Sequence, residues 1–151
     1  MSMQTFYVGI KGIIIRDDKV LLLRANGGKG RRDIWEAPGG RIDDDETMQQ
    51  TLERELQEEL ANISDIQIGG ILHATRLPWI IDGTNSLTLV FFQVSADFDG
   101  DPVISDEHME WKWCTLDEAR ELANDITLPT IEAAFNQLAE YTLIACNRLS
   151  S

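Results

Sequence analysis

Apolar and polar positions change rhythm along the chain, and the rhythm predicts the elements. Tyr7 to Ile15 alternates loosely and reads as a strand. Asp17-Asp18 is a turn signal and Val20 to Leu23 is a second apolar run, so the pair predicts a hairpin. From Met48 the period lengthens. Met48, Leu52, Leu56 and Leu60 recur every four residues, the stripe of a helix facing a core. Thr47 and Gln50 have the spacing of a capping box, which starts that helix at Thr47. Ile66 to Leu72 reads as a strand, Asp82-Gly83-Thr84-Asn85 as a turn, and Ser86 to Val94 as a buried strand. Asp97 to Pro102 is a polar loop. Glu110 to Cys114 is a further strand with Trp111 and Trp113 on one face. Thr115 and Glu118 repeat the capping-box pattern and open a short helix. Pro129 stands near the start of a last helix carrying Ile131, Ala134, Leu138 and Leu143 at helical spacing. Strands interleaved with two or three helices predict an α/β class. With no repeat or linker, one domain over residues 1–151 is expected.

Charge changes the picture by exclusion. The 151 residues carry a net charge of −13. So acidic a surface opposes binding to a nucleic-acid polymer, because no broad positive field meets the phosphates. A small phosphorylated ligand remains compatible, since a metal ion and a few Arg or Lys residues reverse the potential within one cleft. No apolar run reaches the length of a membrane span. Met1 to Thr5 lacks the basic and apolar regions of a signal peptide. Cys114 and Cys146 make no disulfide framework, so a cytoplasmic location is expected.

The chemistry concentrates on the first predicted helix. Glu55, Glu58 and Glu59 fall at spacings that make them neighbours on its surface. Like charges so placed repel by about 0.2–0.5 kcal/mol per pair. Arg54 precedes them, but a single guanidinium does not neutralise three carboxylates. A cluster of hard oxygen ligands short of cations suits Mg²⁺, or Mn²⁺ as a substitute. Gly27-Gly28-Lys29-Gly30-Arg31-Arg32 is a basic loop suited to a phosphate contact or to plain surface, and it lacks the Gly-Lys-Ser/Thr ending of a P-loop.

The stretch from Gly40 to Asn62 resembles the Nudix box. Gly40 opens it, Glu46 follows after five residues, and Arg54-Glu55 after seven more, completed by Leu56, Gln57, Glu58 and Glu59. Trp35-Glu36-Ala37-Pro38-Gly39 looks like the usual lead-in. Ala61 and Asn62 stand where the family pattern has Gly and an aliphatic residue. A helix one residue longer, with Asn62 as a left-handed cap and Ile63 as the apolar anchor, accommodates that departure.

The resemblance implies a mixed sheet between helices, an α-β-α sandwich, and a metal-dependent hydrolase. It implies Glu55, Glu58, Glu59 and the Gly39 carbonyl as metal ligands, and an Arg54–Glu46 salt bridge that orients the helix. The general base is Glu55, or a later glutamate for which Glu107 is the candidate and Glu110 its alternative. Arg24, Arg41 and Arg76 are candidate phosphate contacts, because guanidinium binds phosphate through paired hydrogen bonds. Trp79 is a candidate for stacking on a base, while His73 and His108 read as structural or surface residues. The expected substrate is a nucleoside diphosphate linked to another group, either a (d)NTP or a nucleotide sugar such as ADP-ribose. Pro78, sixteen residues past Asn62, leans toward the ADP-ribose class, and the compact length leans toward the triphosphates. Two rivals share the fold: a non-catalytic nucleotide sensor, and an isoprenoid diphosphate isomerase that would use Cys114. Homodimerisation is left open.

Overall fold

Two successive left-handed residues decide the first turn. Asp17 and Asp18 have φ of 52° and 59°, the backbone of a type I′ turn that matches strand twist. They join β1 (Phe6–Arg16) to β2 (Lys19–Ala25) as an antiparallel hairpin in which Arg16 faces Lys19. The computed structural model describes residues 3–26, 34–78 and 80–150, so the basic loop and Trp79 lie outside the described residues.

The other elements are β3 (Trp35–Glu36), β4 (Gly39–Arg41), α1 (Met48–Glu59), β5 (Ile63–Arg76), β6 (Ser86–Phe98), β7 (His108–Cys114), α2 (Leu116–Leu122) and α3 (Leu128–Leu149). The sheet runs β3-β2-β1-β6-β5, with β4 added to β1 and β7 to β2. β1 and β6 pair in parallel and the other pairs are antiparallel, so the sheet is mixed.

Alternation along β1 and β2 builds two cores. Ile10, Ile14, Leu21 and Leu23 face α1 and pack with Leu52, Leu56 and Leu60. Ile13, Val20 and Leu22 face the opposite side and pack with Ala119 of α2 and with Ile131 and Ala134 of α3. Period 2 in the strands and 3.6 in the helices thus give helices on both faces. Trp111 and Trp113 both join the α1 side, as the strand pattern requires.

Both capping boxes form. Thr47 Oγ1 accepts from Gln50 N while Gln50 accepts from Thr47 N, and Thr115 with Glu118 repeats the arrangement. Cys114 is fully buried, and desolvation pushes its thiol up to about 11. In α3 only the first half of the expected stripe is buried: Ile131 and Ala134 are covered, whereas Leu143 is exposed. None of the described helices is long and apolar enough to cross a membrane.

The helix end differs from expectation. α1 stops at Glu59, Leu60 leaves the helix with φ −128°, and Asn62 is not left-handed. Tertiary contacts replace the local cap. Ala61 N donates to Val103 O, and Leu60 bridges Ile104. The Asn62 amide donates to Asp99 O and Asp101 O and accepts from Val103 N. The residues that depart from the box therefore fasten the β6–β7 loop to the end of α1.

Candidate active site

That fastening places Glu107 beside α1. Ser105 N donates to Glu59 O at 3.0 Å, and Asn26 of the β2 end holds Glu107 O at 2.9 Å. Asn26 Nδ2 also donates to Asp106 O. The loop is thus pinned from both sides, and Glu107 meets the helix carboxylates across some fifty residues of sequence.

A cleft of about 720 Å³ opens there, lined by residues that include Gly39, Gly40, Arg41, Glu55, Glu59 and Glu107. Its size is that of a site for a nucleotide-sized molecule. The two glycines let helix and strand close up. A Cβ on Gly40 would meet the Glu55 carboxylate at 2.3–2.6 Å, and Gly39, at φ 143°, has no room for one against Ile10 O. Gly39 N donates to Glu59 Oε2 at 3.0 Å.

Glu59 is the unusual carboxylate. It is 4 % exposed. Burial pushes its carboxyl up to about 7, against the pull of Lys11, the Gly39 hydrogen bond and His108. Glu59, Glu107 and His108 each bring a ligand atom within 4.8 Å of the others. Two carboxylates and an imidazole, one carboxylate desolvated and short of positive charge, are a donor set that fits a divalent cation.

Arg54 anchors the outer side of α1. It binds Glu46 through Nε at 2.8 Å and Nη2 at 2.9 Å, and reaches Glu55 at 2.9 Å and Glu58 at 3.4 Å. The hydrogen bonds from Arg54 lower the Glu46 carboxyl, and those to Glu46 hold the Arg54 guanidinium firmly protonated. Glu58 stands on this side, outside the cleft lining.

Of the candidate phosphate contacts, Arg41 lines the cleft, its guanidinium 4.2 Å over the Tyr7 ring. Arg24 pairs with Glu110 at 3.1 Å on the β2–β7 rung, and Arg76 packs over Phe6 and donates to Ser86; neither is in the lining. Trp79 lies outside the described residues. Glu36, read only as part of the box lead-in, and His108, read as a structural or surface residue, are 3.2 Å apart at the cleft wall. They come from β3 and β7, and only their joint attachment to β2 brings them together.

With this geometry in place, the comparisons with known proteins are decisive at the family level. The Nudix domain model matches residues 7–134.

The chain belongs to the Nudix family.

It is 29 % identical over 114 residues to the CTP pyrophosphohydrolase of Escherichia coli (strain K12), covering 73 % of this chain and 76 % of that one. A shorter match, 41 % identical over 49 residues, links it to the 8-oxo-dGTP diphosphatase of Buchnera aphidicola, covering 32 % of this chain and 38 % of that one. Among solved structures it superposes on the E. coli ORF135 protein with a TM-score of 0.73 and 28 % identity, covering 91 % of this chain and 94 % of the other. Family and hydrolase relatives together make this Nudix protein an enzyme that hydrolyses phosphorus-containing anhydrides. The α-β-α arrangement expected from the box is the one seen.

Proposed function

We propose that this Nudix hydrolase cleaves a nucleoside triphosphate in a reaction that needs Mg²⁺, with Mn²⁺ as a substitute. The observation that carries the reading is the convergence of Glu55, Glu59 and Glu107 on one cleft beside Gly39-Gly40, with Glu59 buried. The names of the CTP and 8-oxo-dGTP relatives favour a triphosphate over a nucleotide sugar.

In this reading Glu55, Glu58, Glu59 and the Gly39 carbonyl hold the cation. When bound, the cation polarises phosphoryl oxygens and lowers the pKa of water. The protein's own residues do the rest. Glu107, exposed on the pinned loop, or Glu55 accepts the proton of the attacking water. Arg41, in the cleft lining, contacts a substrate phosphate. Arg54 and Glu46 orient the helix against the segment that leads into it. Water attacks phosphorus and the anhydride P–O bond between the α- and β-phosphates breaks, giving a nucleoside monophosphate and pyrophosphate, with the bridging oxygen kept by the group that leaves. The partner is a small phosphorylated nucleotide, and the charge of −13 opposes a nucleic-acid polymer.

A hydrolysis panel with the purified chain and Mg²⁺ tests this. It covers CTP, dCTP, other (d)NTPs, 8-oxo-dGTP, ADP-ribose and dinucleoside polyphosphates. Preferred turnover of a triphosphate to a monophosphate supports the reading. Preferred turnover of ADP-ribose would overturn the substrate class and give weight to Pro78. No turnover of any of them in saturating Mg²⁺ would overturn the reading.

A further inference from the structure

His108 has two ring nitrogens in unequal surroundings. Nε2 lies 3.2 Å from Glu36 Oε1. The side chain is 3 % exposed, and Nδ1 is buried with no hydrogen-bond partner among the described residues. Glu36 is in turn held from its other oxygen by Lys11 Nζ at 3.8 Å.

A carboxylate beside Nε2 is an acceptor, so in the neutral ring the proton sits on Nε2. The lone pair is then on Nδ1, the atom without a partner. A buried acceptor left unsatisfied costs about 1–3 kcal/mol, and a protein keeps such an atom where something else satisfies it. The neighbours supply the context: a ring nitrogen of His108 and one carboxylate oxygen each of Glu59 and Glu107 lie within 4.8 Å of one another.

We propose that His108 gives a nitrogen donor, Nδ1, to the cation held by Glu59, with Glu36 as the carboxylate that orients the ring. Carboxylate, imidazole and cation in series are a recurrent arrangement, in which the outer carboxylate fixes the tautomer and strengthens the donor. The inference rests on the reading of the cleft as a cation site. It adds a selectivity. Oxygen-only sites suit Mg²⁺, whereas an imidazole nitrogen tilts a site toward first-row transition ions. This site therefore favours Mn²⁺ over Mg²⁺ more strongly than carboxylates alone would.

The test uses the full chain and Mn²⁺ alone. Electron spin-echo modulation of bound Mn²⁺ detects directly coordinated nitrogen, and ¹⁵N-labelled histidine identifies it as imidazole. Wild type and His73→Asn are expected to show the nitrogen coupling, and His108→Asn to lose it. Competition titrations are expected to show the Mg²⁺ to Mn²⁺ ratio of dissociation constants falling about tenfold in His108→Asn. Mn²⁺ bound to wild type without nitrogen coupling overturns the proposal, and this reading needs no variant to fold. Coupling that survives in His108→Asn, or an unchanged ion ratio, overturns it as well. Triphosphate hydrolysis without nitrogen coupling leaves the catalytic reading standing and removes this one. Nitrogen coupling without hydrolysis does the reverse.

Discussion

The two sides of α1 carry the same residue type under opposite conditions. On the outer side Glu58 is 60 % exposed and shares Arg54 with Glu46 and Glu55. On the inner side Glu59 is 4 % exposed, bound by the Gly39 amide, and its carboxyl is raised to about 7 because burial outweighs the nearby positive charge. The two are adjacent in sequence, so the difference is made by what the sheet and loop place against the helix. Exposed pairs on a helix contribute a few tenths of a kcal/mol and are screened by salt. A desolvated carboxylate is costly unless a cation completes it. The outer carboxylates are matched by Arg54, and the inner one is short of positive charge.

The largest effect expected from this contrast is on catalysis. Glu59→Gln should reduce kcat by about 10³-fold, the several kcal/mol a cation contributes to the transition state. Glu58→Gln should also lose most activity, but by about 10- to 10²-fold. Equal losses in steady-state assays at saturating Mg²⁺ would erase the distinction between the sides.

Next comes Gly39→Ala. A Cβ at φ 143° and 2.0 Å from Ile10 O should lower stability by about 3 kcal/mol. A urea midpoint within error of wild type would mean that β4 has room to shift.

The third is the pH dependence of the cation-free protein. Glu59 titrates near 4.5 unfolded and at about 7 folded. Between those values the folded state keeps a proton that the unfolded state releases. Its contribution is therefore full below about 4.5 and is lost as pH rises through about 7. The loss is on the order of 3 kcal/mol. Denaturant curves in chelator at pH 5 and pH 8 should differ in this sense for wild type, and Glu59→Gln should remove this contribution. A wild-type curve that rises over that interval would contradict the burial argument.

The smallest is Asn62→Ala. It deletes three hydrogen bonds to the loop that carries Glu107. A stability loss of about 1–2 kcal/mol is expected, with a fall in activity on the order of tenfold as Glu107 loses its anchor. Unchanged kinetics would show that Asn26 and the backbone bonds of Ala61 and Glu59 suffice to hold the loop.

What was legible in the sequence follows the range of the interactions. The hairpin, both capping boxes and the Leu52-Leu56-Leu60 stripe depend on residues within a few positions, and they form where the pattern puts them. The box glutamates were legible because a helix fixes their spacing. The end of α1 departs from the expected cap because Ala61 N donates to Val103 O and Glu59 O accepts from Ser105 N, bonds to a distant loop that no local pattern announces. The pairing of Glu36 with His108 left no local trace either: they are 72 positions apart, and the lead-in that contains Glu36 says nothing of its partner. Leu143 fits a helical stripe, yet the buried positions of α3 are confined to its first turns and Leu143 is exposed.

The most direct measurement is calorimetric titration of Mg²⁺ into wild type, Glu58→Gln and Glu59→Gln at pH 8. The inner side is predicted to hold the cation, so Glu59→Gln should lose binding while Glu58→Gln retains a weakened site. Full affinity in Glu59→Gln would contradict the account.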